Sequence, residues 1–308
     1  MSAEPGPEKS TGGLEPAADS TGERRRMIYS PPRSTPIVGR VRITDDVALY
    51  CQDLGDGPPV VLLHGGCMSH RVWESQVCAL VESGFRVVTP DLRGHGESDK
   101  PVSSYTAAMF ADDIASLCDA LGVGPVALVG WSFGATVAAA FAEAHPDRLD
   151  RLALVSSSIF SDVARTASAG DRENDLPIEK MLANQRRNRP RGMERFVAGM
   201  FGGETDEWTH RWLWSIGMQT PMRVAIKTLE NYVDPDADSL RAGLASLDVP
   251  SAVFHGARDN SATLAEAEFL ATDVLRNGTF VPFEESGHVP FIEESARFDD
   301  RLVAFLEA

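Results

Sequence analysis

The stretch Ala127–Pro146, ALVGWSFGATVAAAFAEAHP, constrains the fold more than any other part of the chain. An apolar run rises to Val129, breaks at Gly130, shows one hydroxyl at Ser132, and continues as an Ala-rich segment with helical character. Gly130-Trp131-Ser132-Phe133-Gly134 reads Gly-x-Ser-x-Gly. A serine at a tight strand-to-helix junction is forced into a strained backbone conformation, and the flanking glycines let chain segments pass closely. The turn lifts the hydroxyl above the carboxyl end of the sheet, where open α/β folds bind ligands. It also aims the first amides of the helix, and the helix dipole, at a point where negative charge can develop. The plain alternative is a turn serine that caps a helix. A strand before the motif and a helix after it are the context a nucleophile requires, so Ser132 is read as one.

The flanking sequence repeats this rhythm. VGRVRITDDVALYCQDLG alternates apolar and polar residues about Asp45-Asp46 and predicts a β-hairpin. PPVVLLHGG, FRVVTPD, GPVALVG, RLALVSSS and PSAVFHG are short apolar runs, separated by helix-length segments such as Tyr105–Leu121 and Ala135–His145. Buried strands alternating with helices predict an α/β protein with a mostly parallel central sheet flanked by helices. After Ser158, the end of the sixth strand, the alternation stops. Residues 159–248 hold Trp208, Trp212, Trp214, several methionines and a basic stretch from Gln185 to Arg195, with no convincing strand. That is too long and too apolar for a linker, and it is read as a helical cap inserted after the sixth strand. The rhythm resumes at Val249 and ends in a helix over Glu293–Leu306, so the core comprises residues 36–158 and 249–308.

The chain has 308 residues, 43% hydrophobic, enough for one sizeable core. Residues 1–35 carry almost no large apolar side chains and are expected to be disordered. Arg24, Arg25 and Arg26 within them read as a solvated charge run. A net charge of −16 argues against nucleic-acid binding. No run approaches the roughly 20 apolar residues of a membrane span, and no secretory signal is evident. Cys51, Cys67, Cys78 and Cys118 form no CxxC or zinc spacing, so the expectation is four reduced thiols in a cytoplasmic protein, with no metal or other cofactor.

A serine hydroxyl needs a base, and the base needs an orienting acid. Of seven histidines, His145 and His210 read as surface or packing residues, and His70, His95 and His255 lie inside other motifs. His288, in EESGHVPF, follows the last strand on a Gly-containing loop at the same end of the sheet as Ser132, and is read as the base. The order expected of this elbow is serine, acid, histidine. VFHGARDN presents Asp259 on a loop after a strand. The other place for an acid, the end of RLALVSSS, offers serines and no carboxylate before Asp162, so Asp259 is favoured.

Together these residues resemble the α/β-hydrolase family, from about Val38 to the C-terminus. VVLLHGGCMSHRVWESQVCALVESGFRVVTPDLRGHGES is similar to the family's front half, with its His-Gly strand end and its Asp-x-Arg-Gly-x-Gly-x-Ser loop. The resemblance implies that Gly66 and Phe133 supply the oxyanion amides, and that Asp91, Arg93, Gly94 and His95 are structural. It points toward the subgroup of cofactor-free perhydrolases, aryl esterases, enol-lactonases and carbon–carbon bond hydrolases. Two departures blur the subfamily: Ala135 stands where many relatives have glycine, and the loop after Asp259 lacks a proline that many relatives carry.

The expected chemistry is hydrolysis of a small-to-medium, mostly apolar or aromatic ester or lactone through an acyl-enzyme. Expected substrate contacts are Trp131, Cys67, Trp208, Trp212, Trp214 and Met218, with Met200 and Phe201 as further cap candidates, each also readable as plain core. Arg186, Arg187, Arg189 and Arg191 could receive a carboxylate or phosphopantetheine, against the reading of a solvated face. The expected partner is a small molecule, neither nucleic acid nor membrane, and self-association is left open. The rival readings are a lyase or cyclase of secondary metabolism, a C–C bond hydrolase, and a ligand-sensing receptor on the same scaffold.

Overall fold

The computed structural model describes residues 36–157, 159, 178–232 and 237–308. The N-terminal tail with Arg24, Arg25 and Arg26, and the alternative acid Asp162, lie outside them.

Eight strands form one sheet: β1 (Ile37–Arg42), β2 (Ala48–Leu54), β3 (Pro59–Leu63), β4 (Arg86–Pro90), β5 (Val126–Trp131), β6 (Leu149–Val155), β7 (Ser251–Gly256) and β8 (Gly278–Phe283). Their order is β1-β2-β4-β3-β5-β6-β7-β8. β2 runs antiparallel to both β1 and β4, and the other pairings are parallel. Burial explains the two sequence patterns. β1, at the edge, alternates half-buried and exposed residues, whereas every residue of β4, β5 and β7 is buried, as strands covered on both faces must be. Between β2 and β4, buried Arg86 grips Asp53 through two 2.8 Å hydrogen bonds.

Helices α1 (Glu74–Glu82), α2 (Ala107–Leu121) and α3 (Phe133–Ala144) precede β6. α2 starts two residues later than its apolar pattern suggested, because Thr106 caps it by accepting the Met109 N–H. It ends at Gly122, whose φ of 62° closes the helix in the left-handed region. Between β6 and β7 the described elements are α4 (Ile178–Ala198), α5 (Glu207–Gln219), α6 (Met222–Tyr232) and α7 (Ala237–Ser246). α4 breaks at Asn188, φ −156°, just before Pro190, which cannot continue a helical hydrogen-bond ladder. The Asn188 side chain accepts the Arg191 N–H and restarts the helix. Past β7 lie α8 (Leu264–Phe269) and the C-terminal α9 (Ser295–Glu307). The expected last helix is α9, which begins two residues later than expected, after a separate turn over Pro290–Glu293.

The side chains of β5 sort the core into two layers. Val126 and Leu128 face α2, α3 and α7, while Ala127, Val129 and Trp131 face α1 and α9. The helices between β6 and β7 bond to loops at the carboxyl ends of strands. Thr220 reaches Cys67 after β3, Arg223 reaches Lys100 after β4, and Met200 reaches His288 after β8.

Candidate active site

Ser132 takes φ 54° and ψ −116°, a backbone conformation that a side chain bearing Cβ rarely adopts. The surroundings enforce it. The Ser132 N–H donates to Val155 O at 2.9 Å, and its carbonyl accepts the N–H of Ala135 and Thr136 as the first turn of α3. A Cβ on Gly130 would strike the Gly134 carbonyl, and one on Gly134 would strike the carbonyls of Leu63 and His64. Both glycines are therefore required by close packing of the elbow against itself and against the end of β3. Across residues 126–142 only Ser132 is not fully buried, and across 60–68 only Gly66. Gly66 and Phe133 are neighbours, a Cβ on Gly66 lying 3.6 Å from that of Phe133. Phe133 opens α3, so its amide stands at the positive end of the helix dipole.

Asp259 and His288 meet across the loops that follow β7 and β8. His288 Nδ1 lies 2.7 Å from Asp259 Oδ2, with both side chains buried. An ionised carboxylate only accepts, so Nδ1 carries the proton and Nε2 is left as the acceptor. Asp259 Oδ1 accepts the N–H groups of Ser261 (2.6 Å) and Ala262 (3.2 Å). Burial alone would raise the Asp259 pKa. The His288 charge and hydrogen bond, the nearby His255 and the Ser261 amide outweigh it and hold the carboxyl below its ordinary value. Trp131 joins the elbow to the histidine loop: its indole N–H donates to His288 O at 2.8 Å.

The front motif is a buried scaffold. Asp91 Oδ1 accepts from the backbone N–H and Nδ1 of His70, and Oδ2 from the Glu97 N–H. Arg93 grips Asp113 of α2. His64 and His95 are fully buried, their rings 5.2 Å apart, and burial lowers their pKa to about 4 and about 3. Both are neutral, and His64 Nε2 accepts the Leu92 N–H beneath the Gly65-Gly66 turn.

The residues expected at the substrate divide. Trp131 is 1% exposed, and a Cβ on Gly65 would lie 2.9 Å from its ring. It is wedged under the site, because its position in β5 faces it into the α1/α9 layer. Trp208 is 73% exposed with Arg211 over its ring, on the outer surface of α5. Trp214 is half-buried and donates to Pro190 O at 3.0 Å, bracing the break in α4. Trp212 and Met218 are half-buried and pack on the layer that contains Trp131, Met200 and Phe201. Cys67 has φ 64° and is buried, which pushes its thiol up to about 11; its carbonyl accepts the buried Thr220 hydroxyl at 3.0 Å. The basic cluster is not gathered for an anion. Arg186 pairs with Glu230, Arg187 and Arg191 are exposed, and Arg189 spends its donors on Gln185 and the carbonyls of Gly217, Met218 and Thr220.

Three residues with no role at the site in the sequence reading adjoin it. His255 is buried, with Nε2 3.2 Å from Ala262 O and 3.8 Å from Asp259 Oδ2. Thr220 anchors the Cys67 turn, and Glu293 accepts the N–H groups of Gly202 and Gly287. Among the described residues no His, Cys, Asp and Glu side chains cluster as a metal site, and no helix is long and apolar enough to cross a membrane.

A positive-φ serine on a strand-to-helix elbow, with an Asp–His pair on later loops of the same sheet, defines a class. The alpha/beta hydrolase fold family matches residues 58–295, and the chain belongs to that family. It is 32% identical over 266 residues to a pimeloyl-(acyl-carrier protein) methyl ester esterase of Pectobacterium carotovorum, covering 84% of this chain and 99% of that one. It is 28% identical over 290 residues to a non-heme chloroperoxidase of Streptomyces lividans, covering 88% and 100%. Among solved structures, an esterase from Exiguobacterium antarcticum superimposes with a TM-score of 0.78 at 25% identity, covering 88% of this chain and 100% of that one.

Proposed function

We propose that the protein is a serine hydrolase that cleaves carboxylic esters or lactones of small-to-medium, mostly apolar or aromatic acids through an acyl-enzyme. The observation that carries the reading is the buried 2.7 Å Asp259–His288 pair at the same sheet end as the strained, accessible Ser132. His288 Nε2 takes the proton of Ser132 Oγ as the oxygen attacks the substrate carbonyl carbon. Asp259 holds Nδ1–H and stabilises the imidazolium. The amides of Gly66 and Phe133 receive the oxyanion. As the tetrahedral intermediate collapses, the carbon–oxygen bond to the alcohol breaks, and His288 returns the proton to the leaving oxygen. Water then gives a proton to His288 as it attacks the acyl carbon, and the acid departs with Ser132 Oγ reprotonated. Every step uses groups of this chain and water.

Residues 159–248 act in this reading as a cap over a core of residues 36–158 and 249–308. Met193, Val197, Met200, Phe201, Leu213 and Ile216 turn inward from it, which favours an apolar acyl or alcohol group. No disulfide joins Cys51, Cys67, Cys78 or Cys118, in keeping with a cytoplasmic protein acting on a small molecule.

The test is covalent labelling with a fluorophosphonate, peptide mapping, and turnover of a panel of aryl esters, lactones and thioesters by wild type and Ser132→Ala. The expected outcome is a label on Ser132 and loss of turnover by several orders of magnitude in the folded variant. Near-normal turnover by Ser132→Ala would refute the acyl-enzyme and favour the lyase reading.

A further inference from the structure

We propose that Glu293 is a positioning residue for His288: its carboxylate ties the histidine loop to the loop that follows α4 and so sets where the imidazole stands. The inference rests on the reading of His288 as the base. Glu293 Oε2 accepts the Gly287 N–H at 2.7 Å and Oε1 accepts the Gly202 N–H at 2.8 Å. Beside this bridge the His288 N–H donates to Met200 O at 2.7 Å. The two backbones are in direct contact, for a Cβ on Gly202 would lie 2.6 Å from Gly287 N. The histidine therefore stands on a loop bonded to a segment far away in the chain, and one side chain spans the joint.

The bridge needs a carboxylate. Each oxygen faces an N–H, and a carboxylate accepts at both. Glutamine has the same size and shape but only one accepting oxygen; its NH₂ would be set against the second N–H. Neutralisation by acid does the same, because the added O–H faces a donor. Burial raises the Glu293 pKa; the Gly202 and Gly287 amides lower it, and the negative charges of Asp259 and Glu294 raise it further, leaving it above the ordinary value. Arg297 is paired to Glu294 at 2.8 Å.

Glu293→Gln separates a positioning role from a merely structural one. The expected result is a fall in kcat on the order of tenfold or more with KM unchanged, the same fall in the rate of fluorophosphonate labelling at Ser132, and a folded protein. A wild-type kcat in Glu293→Gln, with or without a lower melting temperature, would overturn the proposal. If the variant does not fold, the wild type decides. The Gly202 and Gly287 amide resonances should titrate together with one midpoint, and separate midpoints or no shift would overturn the bridge. Ser132→Ala, run in parallel, keeps the two readings apart. An active Ser132→Ala defeats the hydrolase mechanism, whereas an inactive Ser132→Ala beside a fully active Glu293→Gln defeats only the role of Glu293.

Discussion

Asp259→Asn should damage the protein's chemistry more than its near-identical shape suggests, and the structure says how. The Asp259 oxygens have different partners: Oδ1 faces the Ser261 and Ala262 N–H groups, and Oδ2 faces His288 Nδ1. In the variant the single amide oxygen stays at the Oδ1 position, because turning it would set an NH₂ group against two N–H donors. That reversal would lose two hydrogen bonds of about 1 kcal/mol each and leave buried donors unsatisfied. The Asn NH₂ group then faces His288 Nδ1, which can only accept from it. The imidazole proton is driven to Nε2, the nitrogen that receives the Ser132 proton in the proposed mechanism. The expected loss is about ten-thousand-fold in kcat, or about 5.5 kcal/mol of transition-state stabilisation. Asp259→Ala imposes no tautomer and should be impaired no more than the asparagine variant. The assay is kcat on a turned-over aryl ester, with melting temperature as the control for folding. An asparagine variant within tenfold of wild type, or one clearly more active than Asp259→Ala, would refute the tautomer argument.

Further outcomes follow from the same geometry. Asp162→Asn should leave kcat within a few-fold of wild type, because Asp259 already holds Nδ1; a crippled Asp162→Asn beside an active Asp259→Asn would reassign the acid. Gly134→Ala should lower both melting temperature and activity, by about 2 kcal/mol or more in stability, since the added Cβ strikes the Leu63 and His64 carbonyls that carry the Gly65-Gly66 turn. His95 is neutral in the fold, its pKa lowered by burial to about 3, and free near 6.5 in the unfolded chain. Unfolding between those values takes up a proton, so stability is full above about pH 6.5 and falls by about 1.4 kcal/mol per pH unit below it. His95→Phe removes that proton. Urea unfolding between about pH 4 and 6 should show a slope shallower than wild type by that amount, and an unchanged slope would mean that His95 is already charged in the fold.

The strands, their parallel order and the elbow were legible because each is written locally. Continuous apolar runs mark strands buried on both faces, and Gly130 and Gly134 mark backbones that touch. That Ser132, His288 and Asp259 stand at one end of the sheet was legible for a related reason, since each follows a strand whose direction the pattern already sets. Which side chains of the helical segment turn inward was not. Residue type does not tell which way a helix is rolled, so Trp208, on the outer surface, and Trp212, turned inward, look alike in sequence. The setting of Trp131 was hidden for another reason: adjacency to Ser132 suggested contact with substrate, whereas strand alternation sends successive side chains to opposite faces and buries the indole in the α1/α9 layer. Its indole N–H instead spans 157 positions to the His288 carbonyl. Glu293 and Thr220 escaped notice because their partners, Gly202 and Cys67, lie 91 and 153 positions away.

Those long-range bonds also bear on how specificity and catalysis are divided in this molecule. A cap that only shaped a pocket would touch the core through apolar side chains, and substitutions in it would change KM. Here the helical segment is hydrogen-bonded to the backbone of the turns that follow Gly66 and carry His288. Thr220 holds the Cys67 carbonyl, one residue past Gly66, with Cys67 itself in a left-handed conformation that needs holding. Met200 holds the His288 amide, and Glu293 ties Gly287 to Gly202. Neither turn is set by its own sequence alone. A change in α4 or α5 that shifts the segment by a fraction of an ångström would move the proposed oxyanion donor and the proposed base together, and rate would fall before affinity. Variants that broaden the substrate range are therefore expected among inward-facing side chains remote from both ties, such as Leu213 and Ile216, rather than at Met200 or Thr220.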